Sequence, residues 1–476
     1  MQIRMSRLRL GMVLIGLIMS QTLFATQARA DDDKNDWPAF GHDPLGTRYN
    51  SAEKKLGRQN VGNLKVLWRI TTDGLVSGTP AVSGNTVFAG DNTGSFYAAD
   101  VKTGKLRWKS KLPGVGFTGS ATAIRGIVVI GDQLNGDIYG LDQGNGKVVW
   151  KIRPNPLGRP AIWGSGCIVG KYVAIGVAGN DEGPPPPYVT RGSVLLLDPK
   201  DGRVLWQTFT ISDADHANGA AGAGVWSTPA YDEETGTIYA STGNNYKDPA
   251  TFSSDAILAL DAETGAIKWS NQLYPNDRWN FNVGKGPDYD FGDSPQVYQL
   301  SNGRKVVSAG QKSGFFHVLD AKTGLEMFPT GGLTQYLVGG VLGGFHTDSG
   351  VADGVVFAPG NHGGPAFGIP SSCALVAINP DGSKRWQFEA NGPSFSGIAI
   401  ANGVVYFQPN SDPNLYALST DTGKVLGTIK TGGSSGGPAI ANGRIFVGGG
   451  PYFTPVQTGF LMGIGLPEGH DSEDED

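Results

Sequence analysis

The chain has 476 residues, 39% hydrophobic and 17% charged, with 73 Gly, 29 Pro, 10 Trp, 15 Tyr and 21 Phe. That apolar content excludes intrinsic disorder, and a formal net charge of −5 excludes a basic nucleic-acid binder. Length alone suggests two or three domains, but the Gly- and aromatic-rich mix predicts many short strands joined by tight turns, hence one large all-β domain.

Residues 1–30 read as an export signal. Arg4, Arg7 and Arg9 precede the apolar run GMVLIGLIMSQTLF, and Ala28-Arg29-Ala30 is a small-x-small cleavage site. The run is too short for a comfortable membrane span, so no stable membrane insertion is expected. No Cys follows the cleavage point, and the mature protein is expected to be periplasmic or secreted. Losing Arg29 with those three arginines takes the net charge from −5 to −9. At the other end, 469–476 contains DSEDED and reads as a solvated acidic tail, leaving 31–468 as the predicted domain.

Within that domain one phrase recurs. It appears as DVKTGKLRW (100–108), DQGNGKVVW (142–150), DPKDGRVLW (198–206) and DAETGAIKW (261–269). Weaker copies are DAKTGLEMF (320–328), NPDGSKRW (379–386) and STDTGKVLG (419–427). Each D-x-x-T-G step predicts a hairpin turn in which Gly takes the positive φ that other residues resist. The Trp then falls at a fixed place on the next strand, where it can pack between units. Phrases such as GTPAVSGNTVFAGD and FSGIAIANGVVYFQ, ahead of most copies, add a strand, a Gly turn and an alternating strand. Four strands per unit of roughly forty to sixty residues predict a β-propeller. The last pair, GGPAIANGRIFVGGG, lacks an outer strand, and LKVLWRI (64–70) carries Trp68 in the Trp slot. Closure by that N-terminal strand gives eight four-stranded antiparallel blades; a seven-bladed ring is the alternative.

The units swell between about 177 and 300, in NDEGPPPPYVTRG (180–192), GNNYKDPATFSSD (243–255) and YPNDRWNFNVGKGPDYDFGDSP (274–295). Insertions in neighbouring repeats become loops on one face. They would bring Asp181, Glu182, Asn244, Asn245, Asp288 and Asp290 around one mouth of the ring. Carboxylates with an amide oxygen suit a hard, calcium-like cation, and an ionised Asp beside it can act as a general base. Local turn hydrogen bonding is the plainer explanation for any one of these residues. Cys167 and Cys373 sit in different repeats and read as buried free thiols, and there is no C-x-x-C-H for haem attachment.

DWPAFGHDPLGTRYN (36–50), AGVWSTPAYD, YASTGNNY, GPDYDFGDSP and SAGQKSGFFHVLDAKTG together resemble the pyrroloquinoline quinone (PQQ) dehydrogenases, among them the polyvinyl alcohol dehydrogenases. The resemblance covers nearly all of 37–468. It implies an eight-bladed propeller with PQQ in a central funnel and oxidation of an alcohol substrate. It further implies calcium or a lanthanide as the metal and an external cytochrome c as electron acceptor. Carried over by motif, Trp226 is the floor under the quinone, and Lys312 reaches its oxygens. Asn244 holds the metal with Glu182 or Asp181, of which Glu182 is preferred, and Asp290. The base is Asp288 or Asp290; in an extended stretch both would face the same side. His346 stands where relatives carry an aromatic residue beside the cofactor. Two departures bear on the substrate: the neighbouring-cysteine disulfide of many relatives is missing, and so is a fused cytochrome domain. A non-catalytic propeller acting as an assembly scaffold is the rival reading.

Overall fold

The computed structural model describes residues 34–282, 286–327, 335–363, 368–450 and 458–467. The predicted export signal and acidic tail lie outside the described residues. No described helix is long and apolar enough to cross a membrane.

Eight antiparallel sheets follow one another along the chain, as blades 1 (81–111), 2 (122–152), 3 (160–209), 4 (230–272), 5 (296–320), 6 (350–391), 7 (399–430) and 8 (438–465). Blade 8 is completed by the strand Lys65–Thr72, antiparallel to Gly459–Gly465, so the N-terminal strand closes the ring and settles the count at eight. Blade 5 shows three strands among the described residues, with Glu326 bridging to Leu319 beyond them. In blade 3 the innermost strand is split into Pro160–Ala161 and Cys167–Val169.

The repeated phrase explains how the blades lock. In blade 1, Asp100 Oδ1 accepts the N–H groups of Lys102 and Thr103, and Gly104 takes φ +69° to close the turn. The turn glycine must be bare because the preceding blade's Trp lies on it: a Cβ on Gly104 would stand 2.7 Å from Trp68, and one on Gly146 2.4 Å from Trp108. Each indole N–H then donates to a carbonyl of the next blade, Trp68 to Val101, Trp108 to Gln143 and Trp150 to Pro199. Trp206, Trp269 and Trp386 repeat the contact. A buried aromatic of this size contributes roughly 3–5 kcal/mol relative to Ala. Where blade 7 has Gly427 in the Trp slot, the short helix Val61–Asn63 fills the gap. Between blades 5 and 6 the Tyr336 hydroxyl donates to Gly382 O.

The segment 37–50 forms a strap across the ring at the end of the innermost strands. It exchanges backbone hydrogen bonds with Val82, Ala123, Tyr231, Val297, Val351 and Ile400, of blades 1, 2, 4, 5, 6 and 7. Cys167 of blade 3 donates to Pro44 O, and Asn50 donates to Ile440 O of blade 8. Its hub is Arg48, 1% exposed, whose guanidinium donates to the Ile398 and Phe40 carbonyls and to Thr79 Oγ1. One end of the axial channel is thereby floored by the chain's own N-terminal segment. Both cysteines are buried and free.

Candidate active site

Every blade lends the residues just before its innermost strand to the wall of an axial cavity of about 680 Å³. On the side of blades 1–3 the wall is glycine backbone packed on backbone. A Cβ on Gly78 would meet Gly119 O at 2.5 Å, and one on Gly119 would meet Gly164 O at 2.5 Å. Trp226, His346 and Phe395 also line the cavity, in edge-to-face series with ring separations of 5.5 and 5.1 Å. The cavity therefore combines aromatic rings with close backbone approach, a lining suited to a planar guest.

The enlarged loops of blades 3, 4 and 5 supply the charge. Lys312, in the tight turn Gln311–Phe315, is 7% exposed and lies 5.2 Å from the Trp226 ring. Its Nζ makes ion pairs with Asp290 Oδ1 at 2.7 Å and Asp288 Oδ2 at 3.1 Å. Burial alone would lower the lysine pKa, but Asp288, Asp290 and Glu182 outweigh it and hold the ammonium charged. Burial pushes Asp288 up to about 8, with Lys312 opposing. Glu182, in the loop after Tyr172–Gly179, is raised well above the ordinary carboxylate range by burial and then by Asp288 and Asp290. His346 is pushed down to about 3 by burial and by Lys312, so its ring is neutral.

Of the residues singled out in the sequence, Trp226, Glu182, Asn244, Asp290, Lys312 and His346 all line the cavity. Asn244 Nδ2 is engaged by the carbonyls of Asn245 and Trp279, which leaves its buried Oδ1 without a hydrogen-bond partner. Asp181 is placed differently. Its Oδ2 accepts the N–H groups of Val189 and Thr190, and Oδ1 faces Arg159 at 3.4 Å, so it shapes the proline-rich loop. Asn245 is likewise tied to Thr251 and Ala221. Asp288 stands behind the wall, and its other oxygen, Oδ1, is buried without a partner. The expectation of an extended stretch is corrected here: Asp288 has φ +63°, because the chain turns in the left-handed region before Asp290. Both carboxylates still reach Lys312.

Among the described residues no three His, Cys, Asp or Glu side chains converge as a ready metal cage. The set facing the cavity is instead two carboxylates with one amide oxygen, Glu182, Asp290 and Asn244, a donor set that suits a hard cation. The free Asn244 oxygen and the surplus of buried acid over the single ammonium both fit such an ion.

Sequence reasoning missed three residues. Trp163 and Phe395 line the cavity, and the likeness of Trp163-Gly-Ser to Trp226-Ser-Thr could have flagged the first. Asp277, wholly buried and pushed up to about 6 chiefly by burial, lies in the 274–295 insertion but was not singled out there.

A family model described as outer membrane protein assembly factor BamB, of the PQQ-repeat type, matches residues 63–272 and 372–453. The chain is 26% identical to a polyvinylalcohol dehydrogenase of Sphingopyxis sp. (strain 113P3), over 87% of this chain and 72% of that protein. It is 29% identical to the dehydrogenase subunit of a quinone alcohol dehydrogenase of Gluconacetobacter polyoxogenes, over 62% of this chain but 45% of that one. Among solved structures, a quinohemoprotein alcohol dehydrogenase from Comamonas testosteroni superimposes with a TM-score of 0.76 at 21% identity, covering 92% of this chain and 81% of that one.

Proposed function

Because this chain belongs to the PQQ-repeat propeller family, and within it to the quinoprotein dehydrogenases, we propose that it oxidises an alcohol to a carbonyl compound in the axial cavity. The observation that carries this reading is Lys312, buried between Asp288 and Asp290 and facing the Trp226 ring. A buried cation with two carboxylates, set beside an aromatic face in an open cavity, is a costly arrangement with no structural purpose evident in the blades.

PQQ, when bound, supplies the acceptor for the two electrons and the hydrogen of the alcohol carbon. The protein's own residues do the rest. Trp226 presents a face for stacking, and His346 packs edge-on against it with Phe395 behind. Lys312, charged and facing the Trp226 ring, would stabilise negative charge on a reduced quinone held in the cavity. Glu182, Asn244 Oδ1 and Asp290 hold a hard cation, calcium or a lanthanide. Asp290, which lines the cavity, or Asp288 behind it accepts the hydroxyl proton, both carboxylates being held at Lys312. The first relative's name suggests a polymeric secondary alcohol as substrate. Electrons pass to a separate cytochrome, outside the cytoplasm.

The test is reconstitution of purified protein with PQQ and calcium or lanthanum, followed by dye reduction with primary, secondary and polymeric alcohols. Substrate-dependent reduction that Asp288→Asn abolishes supports the proposal. Absence of PQQ uptake with every metal overturns it. The assembly-factor description of the matching family model favours a scaffold as the second reading. A scaffold would keep its partner binding in Lys312→Met, since nothing in that role uses the buried cluster.

A further inference from the structure

Between blades 4 and 5 the chain passes through Asp277, Arg278, Trp279 and Asn280 before it reaches the acidic pair. Asp277 touches neither cavity nor solvent, and its carboxylate is engaged through one oxygen, Oδ1 having no hydrogen-bond partner among the described residues. Oδ2 accepts the Tyr289 N–H at 2.8 Å, and the Asp288 N–H assists. The backbone wraps this carboxylate so tightly that a Cβ on Gly286 would come within 2.0 Å of Asp277 Oδ1.

The peptide carbonyls of the same segment point to a different loop. Asp277 O accepts the Asn245 N–H at 3.2 Å, and Trp279 O accepts Asn244 Nδ2 at 2.6 Å. Asn280 Nδ2 donates to Tyr246 O. One short segment thus grips the Asn244 loop through its main chain and the 288–290 turn through a side chain. The grip is needed because Asp288 has φ +63°, a conformation that a non-glycine residue keeps only when its surroundings fix it.

We propose that Asp277 is a positioning residue, whose carboxylate bracket fixes the 288–290 acidic pair relative to the Asn244 amide oxygen. It touches no reacting atom. Its effect is to set the spacing between the amide and carboxylate ligands of the cation, and it rests on the cation site of the preceding subsection. Nothing in the motifs that mark the site includes it.

Terbium(III) is a hard oxygen-seeking probe whose luminescence is sensitised by nearby tryptophan, and Trp226 lines the cavity with Asn244 and Asp290. Terbium affinity is measured on wild type, Asp277→Ala, Asp277→Asn and Gly286→Ala, alongside kcat and KM of the PQQ-loaded proteins and a melting curve. Gly286→Ala keeps every carboxylate but pushes the turn off the bracket. Asp277→Ala and Gly286→Ala are expected to weaken terbium binding about tenfold or more and to lower kcat more than they change KM. Asp277→Asn keeps an oxygen that can accept the Tyr289 N–H, so it should recover much of the loss. If Asp277→Ala does not fold, the other two variants carry the comparison. Wild-type binding with all variants within about twofold of it overturns the bracket alone. A wild type that takes up no terbium overturns the cation site and the bracket with it.

Discussion

Replacing Lys312 by Met keeps the length and apolar stem of the side chain and removes only the ammonium. The lysine side chain is 9% exposed, and those of Asp288 and Asp290 are 2% and 6% exposed, so bulk water cannot replace the lost contacts. Stripping one partner from a buried ion pair costs about 3–5 kcal/mol, because the remaining charge is left without compensation. The acid can escape that cost by taking up a proton. A carboxyl whose folded pKa is raised contributes stability at low pH and loses it as pH rises, by about 1.4 kcal/mol per unit for each proton. The variant should therefore be about 3–5 kcal/mol less stable than wild type at pH 7.5, and two units lower it should recover up to about 2.8 kcal/mol for each further carboxylate that takes up a proton. Urea unfolding followed by tryptophan fluorescence, with chelator present, measures both. A penalty below about 0.5 kcal/mol, the same at both pH values, is what a solvated surface lysine would give, and it would refute the buried cluster.

Trp226→Ala should weaken PQQ binding about tenfold or more while Trp226→Phe stays within a few fold, since the ring face is retained; equilibrium dialysis reads the difference, and equal affinities would remove Trp226 from the site. In the metal-free protein Asp288 has its folded pKa raised from 3.8 to about 8, so its contribution is complete below about pH 4 and is lost as pH rises through 8. The metal-free melting temperature should accordingly fall between about pH 4 and 8, and calcium should flatten the fall by stabilising the charged form; a flat metal-free profile counts against the shift. Arg48→Met should cost about 3–5 kcal/mol by orphaning the carbonyls and hydroxyl it bonds, and limited proteolysis should then cut first within 37–50. A strap that stays as resistant as wild type would show that Arg48 is not its hub.

The architecture was legible because its instructions are local. Asp at the turn entry, Gly four residues on and Trp four after that fix a hairpin and a docking ring within nine residues, whatever lies elsewhere. Trp68 in the same slot was enough to predict closure by the N-terminal strand, since an unpaired blade edge has one compatible partner. Trp226, Asn244 and Lys312 converge for a related reason: each sits just before or just after an inner strand of its blade, and the symmetry of the ring turns equal chain positions into a shared axis.

What the sequence determined, then, was a ring of four-stranded blades, because it follows from spacings shorter than one hairpin; Trp226, Lys312 and His346 came from a family resemblance, and closure at eight blades was confirmed by the pairing of Lys65–Thr72 with Gly459–Gly465. Only the tertiary structure shows that Glu182 lines the cavity while Asp181, one residue away, is tied into its own loop by Val189, Thr190 and Arg159. It also decided that Asp288 turns left-handed, that Asp277 braces it, and that residues 37–50 floor the channel. Those outcomes depend on hydrogen bonds between loops that are strangers in sequence, and no local pattern encodes a partner that distant.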